Sequence, residues 1–234
     1  MRTTRTTLTA ILTMACALGT SAFAADRDAK TDDRLAASAD LMTAMMHADD
    51  KGVPQDLLDK ARCVVVIPGM KKAGFIIGAQ YGRGFAVCRR SGGAGWTAPA
   101  AMQMEGGSFG FQVGVSDTDV LLLVMNDRGM HHLVESKFTL GGDAAVAAGP
   151  LGRTATAETD ATLQAEILSY SRTHGIFAGI SLAGASLRPD KDDNRALYGH
   201  EITTKEILMG DVKTPAAGDR LVHALDRDSM SRNR

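Results

Sequence analysis

The stretch that decides the fold is CVVVIPGMKKAGFIIGAQYGRGFAVCRR, residues 63–90. Its first five residues, 63–67, form the continuous apolar run of a buried strand, which Pro68-Gly69 closes. Two further strands are predicted over 73–80 and 83–90. Glycines recur inside these strands, as they do at bends, bulges and close backbone approaches. The stretch therefore favours several short strands in a curved sheet.

The same reading extends outward along the chain. Residues 109–115 alternate apolar and small or polar side chains with a period of two, and 120–125 are continuously apolar. Weaker strand candidates cover 102–105, 137–140, 144–148, 167–171, 176–182 and 185–188. Helices are predicted over 30–48, 54–61, 128–135, 194–198 and 204–209. The pattern predicts a single α+β domain with a long, curved or partly closed, mainly antiparallel sheet, flanking short helices and an N-terminal helical segment.

The first 24 residues have the pattern of a signal peptide. Two arginines precede the apolar segment 8–18, and Ala22-Phe23-Ala24 is the small-x-small pattern of a cleavage site. A lipoprotein signal with Cys16 lipidated is the minor alternative, because the expected leucine is missing before that cysteine. We expect cleavage after Ala24 and a periplasmic or secreted protein. Residues 25–209 are then the folded domain, and 210–234 are a polar, flexible tail.

Composition and charge exclude two classes of protein. Of the 234 residues, 44% are hydrophobic and 23% charged, which excludes wholesale disorder. The net charge of −1 excludes a globally basic nucleic-acid binder, so no nucleic-acid partner is expected. Residues 60–104 nevertheless hold seven bases and no acid. These bases either pair with acids elsewhere in the fold or face an anionic partner, and both interpretations stay open.

The sequence contains two patterns that bear on catalysis, a serine motif and a set of histidines. Gly106–Gly110 matches G-x-S-x-G, but a nucleophile elbow needs a helix after its serine, and the residues that follow Ser108 alternate like a strand. A Gly-rich strand connection is favoured over a serine hydrolase. None of the six histidines has the spacing of metal ligands. No catalytic residue, metal or cofactor is predicted.

Cys63 and Cys88 are the two cysteines of the predicted mature chain. They stand at the start and the end of the predicted three-strand segment. In an oxidising compartment they are candidates for a disulfide bond. The alternative is two buried thiols that act as small apolar side chains.

An ordered series of motifs resembles the SYLF family over nearly all of residues 35–200. The motifs are CVVVIP (63–68), AGFIIG (73–78), YGRG (81–84), GW (95–96), APA (98–100), GGSFG (106–110), the run 120–126, FTLG (138–141), AAGP (147–150), SYSR (169–172), GIFAGISL (175–182) and the segment 194–199. The resemblance implies a lipid-binding module without catalytic residues, related to the actin-binding domain of yeast actin-patch proteins. Eukaryotic members bind phosphoinositide membranes, and bacterial members are mostly exported. Actin binding is not carried over, since actin is absent from the predicted compartment.

The resemblance and the acid-free basic segment together give the predicted function. We expect an exported, non-enzymatic protein that recognises anionic phospholipid head groups through a basic surface. The candidate lipid-binding residues are Lys71, Lys72, Arg83, Arg89, Arg90 and Trp96, with Lys71 and Lys72 in a turn and the indole as an interfacial anchor. The alternative is an envelope protein-interaction module whose basic face meets an acidic protein partner.

Overall fold

The computed structural model describes residues 29–48, 52–92, 95–152, 164–173, 175–180 and 182–229, with the backbone alone at 74–77, 108–115 and 179. The predicted signal peptide and Cys16 lie outside these residues. The helices within them are α1 (29–46), α2 (Gln55–Lys60), α3 (Asp127–Leu133), α4 (Lys191–Tyr198), α5 (Thr204–Met209) and α6 (Asp219–Asp228), with a 3-10 turn at Ala216–Gly218. The strands are β1 (Cys63–Cys88), β2 (Ala100–Val124), β3 (Phe138–Thr139), β4 (Val146–Ala148), β5 (Ile167–Thr173), β6 (Ile176–Gly179) and β7 (Ser186–Pro189).

One long antiparallel hairpin, β1 with β2, forms the centre of the sheet. Its ladder runs from Cys63 opposite Val124 to Ala86 opposite Ala100. The several short strands predicted in each half are therefore two continuous strands. The Pro68-Gly69 pair does not end β1, because the ladder absorbs it as a register shift between Ile67 and Met70, with Gly69 at φ +58°.

The hairpin curls until the two ends of β1 meet. A straight strand of this length would span about 80 Å. The Cα atoms of Cys63 and Cys88 instead lie 3.9 Å apart. Near this meeting point Gly84 lies directly against the backbone of Val66 and Ile67. The prediction of a curved, partly closed sheet is confirmed.

Shorter strands extend the sheet from both halves of β2. The C-terminal half of β2 pairs with β5, whose outer edge carries β6 and β4. The N-terminal half pairs with β7, which carries β3. Only the β4–β5 ladder is parallel among the ladders of the described residues. The predicted α+β class with a mainly antiparallel sheet is thus confirmed.

Both faces of the curled sheet are buried. Alternate residues of β1 divide between two apolar clusters, Val65 and Ile67 in one and Val64 and Val66 in the other. Helices α3 and α5 cover the first cluster, and α1, α2 and α6 cover the second. No helix in the described part of the chain is long and apolar enough to cross a membrane.

The flexible tail predicted from residue 210 is wrong for most of its length. Residues 219–228 form helix α6, which buries Leu221, Ala224 and Leu225 against the second cluster. This i, i+3, i+4 apolar stripe is about one helical turn long and is surrounded by charged residues. The polar composition of the segment therefore does not indicate a buried helix. The folded domain therefore continues through Ser229.

Candidate functional site

The six candidate lipid-binding residues occupy three separate places on the hairpin. Because the two ends of β1 meet, the strand turns back on itself near its middle, which we call the bend. Lys71 and Lys72 lie just before this bend and Arg83 lies after it. Arg89, Arg90 and Trp96 lie at the loop between β1 and β2. The structure therefore does not bring them together as one surface. The charges at the three places differ in what they contact.

Arg83 belongs to a buried ionic cluster. Its guanidinium lies 3.3 Å from Asp190 and 3.4 Å from Asp193, and Arg34 of α1 lies 2.6 Å from Asp193. Both carboxylates are at least 95% buried. The charge of Arg83 is therefore neutralised within the fold, where it joins β1 to α1 and α4.

Arg89 and Arg90 hold the loop that connects β1 to β2 in place. The Arg89 guanidinium donates to the carbonyl oxygens of Leu58, Asp59 and Ala61 at the C-terminal end of α2. The Arg90 guanidinium donates to the Trp96 carbonyl oxygen at 3.0 Å and to Asp211 at 2.7 Å. Cations at a helix C-terminus satisfy its unpaired carbonyls, which gives Arg89 a structural role. Arg90 instead links the two sides of the loop and joins it to Asp211.

Trp96 is not an interfacial anchor, and that prediction is wrong. The side chain is 1% exposed, and its indole nitrogen donates to the Ser229 hydroxyl at 2.8 Å. The Arg89 guanidinium stacks 4.4 Å from the ring centroid. The Gly-rich sequence indicates an exposed loop, whereas helix α6 covers the loop in the structure.

Lys71 and Lys72 remain as the candidates near the bend. They continue strand β1 after its bulge and do not form the predicted turn. The Lys71 ammonium lies 2.6 Å from Asp117, and both side chains are more than half exposed. Lys72 is half-buried, and this burial lowers the pKa of its ammonium below the usual range. Among the described residues, no carboxylate pairs with Lys72.

The two predicted partner cysteines are joined in the structure. A disulfide bond links Cys63 to Cys88, and both residues are fully buried. The bond ties together the two ends of β1 where the curled hairpin closes.

We expect this bond in the native exported protein, since the predicted compartment is oxidising. Alkylation of the denatured protein should add no label to Cys63 and Cys88 without reductant and two labels after reduction, read by intact mass. Two labels before reduction would show that the cysteines are free thiols.

The G-x-S-x-G motif lies in continuous strand. Ser108 is in β2 opposite Gly78, and the ladder continues on both sides of it. A nucleophile elbow is a strand-turn-helix, so this backbone does not have its geometry. The described residues also contain no group of three or more histidine, cysteine or carboxylate side chains that could hold a metal ion.

The comparison with protein families agrees with the resemblance seen in the motifs. The profile of the Ysc84 family, described as Las17-binding protein actin regulator, matches residues 105–228, just over half of the chain. The chain belongs to the Ysc84, or SYLF, family. The match runs through helix α6, which places that helix within the family domain.

Named relatives of this SYLF chain come from fungi and animals. An SH3 domain-containing protein of Schizosaccharomyces pombe, PJ696.02, is 37% identical over 185 residues, 78% of this chain and 43% of the relative. Protein YSC84 of Saccharomyces cerevisiae is 36% identical over 180 residues, 76% of this chain and 38% of the relative. The human SH3 domain-containing YSC84-like protein 1 is 34% identical over 181 residues, 77% of this chain and 52% of the relative. The chain thus spans about half of these relatives or less, and two of the three are named as SH3 domain-containing proteins.

Proposed function

We propose that this protein is an exported, non-enzymatic SYLF protein that binds anionic phospholipid head groups through Lys71 and Lys72. The observation that carries the proposal is the partial burial of the Lys72 ammonium without a counter-charge from the described residues. Its ammonium is half-buried with no carboxylate partner in the described part of the chain, and burial lowers its pKa. A partly buried cation without a counter-charge is unfavourable, and a phosphate group supplies that charge.

Lys71 can contact the same anionic surface. Its pair with Asp117 is exposed on both sides, and such surface pairs contribute about 0–1 kcal/mol because water screens them. An anionic surface can therefore compete for this ammonium at little cost. The two adjacent lysines point to opposite faces of β1, so one lysine lies on each face of the hairpin near its bend.

The other three bases are left out of the proposed surface. Arg83 contacts buried carboxylates and Arg89 donates to helix carbonyls, while Arg90 donates to the Trp96 carbonyl oxygen within its own loop as well as to Asp211. Actin binding is likewise left out, because the words "actin regulator" describe the family and the predicted compartment of this chain lacks actin.

The charge-reversed variant Lys71→Glu/Lys72→Glu should bind phosphatidylglycerol-containing vesicles at least about 30-fold more weakly than the wild type. Each lysine near an anionic surface contributes about 1 kcal/mol, and 1.4 kcal/mol is a factor of ten. Co-sedimentation measures the affinity, and circular dichroism checks the fold. The matched control is Lys205→Glu/Lys213→Glu, which reverses two exposed lysines on and after α5 and should bind like the wild type.

Salt and lipid charge provide the further checks. Wild-type binding should weaken from 0.1 to 1 M salt, where the screening length falls from about 10 Å to about 3 Å. Vesicles of phosphatidylcholine alone should bind weakly to every variant. Equal binding by the wild type and the Lys71/Lys72 variant, without an effect of salt, would refute this surface as the lipid site.

A further inference from the structure

We propose that Ile176, the first residue of β6, is the apolar anchor of the membrane contact and enters the lipid layer beside Lys71 and Lys72. This inference rests on the proposed lipid binding and adds a residue and an orientation to it. Its three supports are the exposure of Ile176, its place in the sheet and the distribution of charge around it.

Ile176 is the most exposed large apolar side chain of the described residues, at 69%. The other two in this class are Tyr81 and Met209, at 40% and 41%. A single exposed isoleucine is ordinary on a protein surface. The exposure of Ile176 gains meaning from its position in the sheet relative to the two lysines.

The register of the sheet places Ile176 in one row with the start of the lysine pair. Met70 lies opposite Thr118, the hydroxyls of Thr118 and Thr173 lie 3.0 Å apart, and Thr173 lies opposite Ile176. Neighbouring strands are about 4.8 Å apart, so this row spans about 14 Å. Lys71 and Lys72 directly follow Met70, so the isoleucine and the lysines lie in neighbouring rows of the sheet. Lys72, two residues from Met70, is on the same face of the sheet as Ile176.

Ile176 is the first residue of β6. It pairs with Thr173 of β5, and the preceding Gly175 has φ +79°, a conformation that glycine adopts readily. The pairing fixes the backbone of Ile176 in the sheet, which reduces the entropy lost when its side chain enters lipid.

Charge differs between the surroundings of this row and the helices. The row's surroundings hold three bases, Lys71, Lys72 and Arg172, against two acids, Asp117 and Asp119. Helices α1, α2 and α6 carry eight acids and five bases. Of these helices, α2 contacts Arg89 and α6 leads to the Trp96 partner Ser229, so both lie near the loop between β1 and β2. An anionic bilayer is therefore met more favourably by Lys72 and Ile176 than by these helices.

Tryptophan substitution tests whether the side chain at position 176 enters lipid. The wild type has one tryptophan, the buried Trp96. With phosphatidylglycerol vesicles, the indole introduced by Ile176→Trp should shift its emission to the blue and be quenched by brominated acyl chains. The matched control is Met209→Trp, which places an indole at another exposed apolar position, on α5, and should show neither effect.

Affinity gives the second readout. Ile176→Ser should weaken co-sedimentation with the same vesicles about tenfold, since it removes an apolar side chain from the lipid contact. Ile176→Val should bind within about twofold of the wild type. Because the position is exposed, both variants should keep the wild-type circular dichroism.

The outcomes separate this inference from the proposed function. If the wild type binds and Lys71→Glu/Lys72→Glu weakens binding, but the indole at position 176 is not quenched and Ile176→Ser binds normally, the anchor is refuted and the lipid function stands. Quenching of the Met209→Trp indole instead would place the contact at α5 and also refute the anchor. If the wild type binds no anionic vesicle, both proposals fail.

Discussion

Replacing Gly84 with alanine is expected to lower the free energy of unfolding by about 4 kcal/mol or more. A Cβ atom at this position would lie 2.8 Å from the Ile67 Cα and closer still to the Val66 carbonyl oxygen. These are backbone atoms of the same strand, so no side-chain rotation can relieve the overlap. The two parts of β1 would have to separate where the curled hairpin closes, an overpacking larger than that of ordinary core substitutions.

Urea unfolding followed by circular dichroism measures this loss. The matched control is Gly92→Ala in the loop that connects β1 to β2, where a Cβ would have no neighbour within 4 Å. That variant should stay within about 0.5 kcal/mol of the wild type. If Gly84→Ala is as stable as the control, β1 does not approach itself at Gly84.

The sequence predicted the kind of fold better than its connectivity. Alternation and apolar runs identified where strands lie, because both are local properties of the chain. They also suggested strand ends at Pro68-Gly69 and Tyr81-Gly82, where residues of turn type stand. In the structure the partner strand β2 pairs through these positions, with a bulge at the first. Whether a glycine ends a strand or bends it depends on that partner, which local patterns do not reveal.

The basic segment shows the same limit for the candidate site. The absence of acids over 60–104 suggested an anionic partner, but Arg83 meets Asp190 and Asp193 from more than 100 residues away. The alternative that these bases pair within the fold is therefore correct for Arg83 and for Arg90, which meets Asp211. Only spatial pairing separates the bases that hold the fold from the lysines near the bend. Ile176 was missed for a related reason, since its exposure depends on where the β5–β6 turn ends.

Asp193→Asn is expected to cost about 3 kcal/mol of stability, because it leaves two guanidinium groups short of their shared counter-charge. The Asp193 carboxylate accepts from Arg34 at 2.6 Å and lies 3.4 Å from Arg83, and it is 1% exposed. Removing one partner of a buried ion pair typically costs 3–5 kcal/mol. We expect the lower end of this range, since both arginines reach solvent in part and Asp190 stays beside Arg83.

The neighbouring carboxylate provides the control for this effect. Asp192 pairs with Arg195 at the surface, at 3.3 Å, and Asp192→Asn should change stability by less than about 1 kcal/mol. A double-mutant cycle between Asp193→Asn and Arg34→Met should show a coupling of about 1–3 kcal/mol that persists at 1 M salt, because buried pairs are screened less than exposed ones. A coupling near zero, or one abolished by salt, would mean that water reaches this cluster. In that case the leucine and methionine contacts of α1 would hold it to the sheet without a contribution from this ionic cluster.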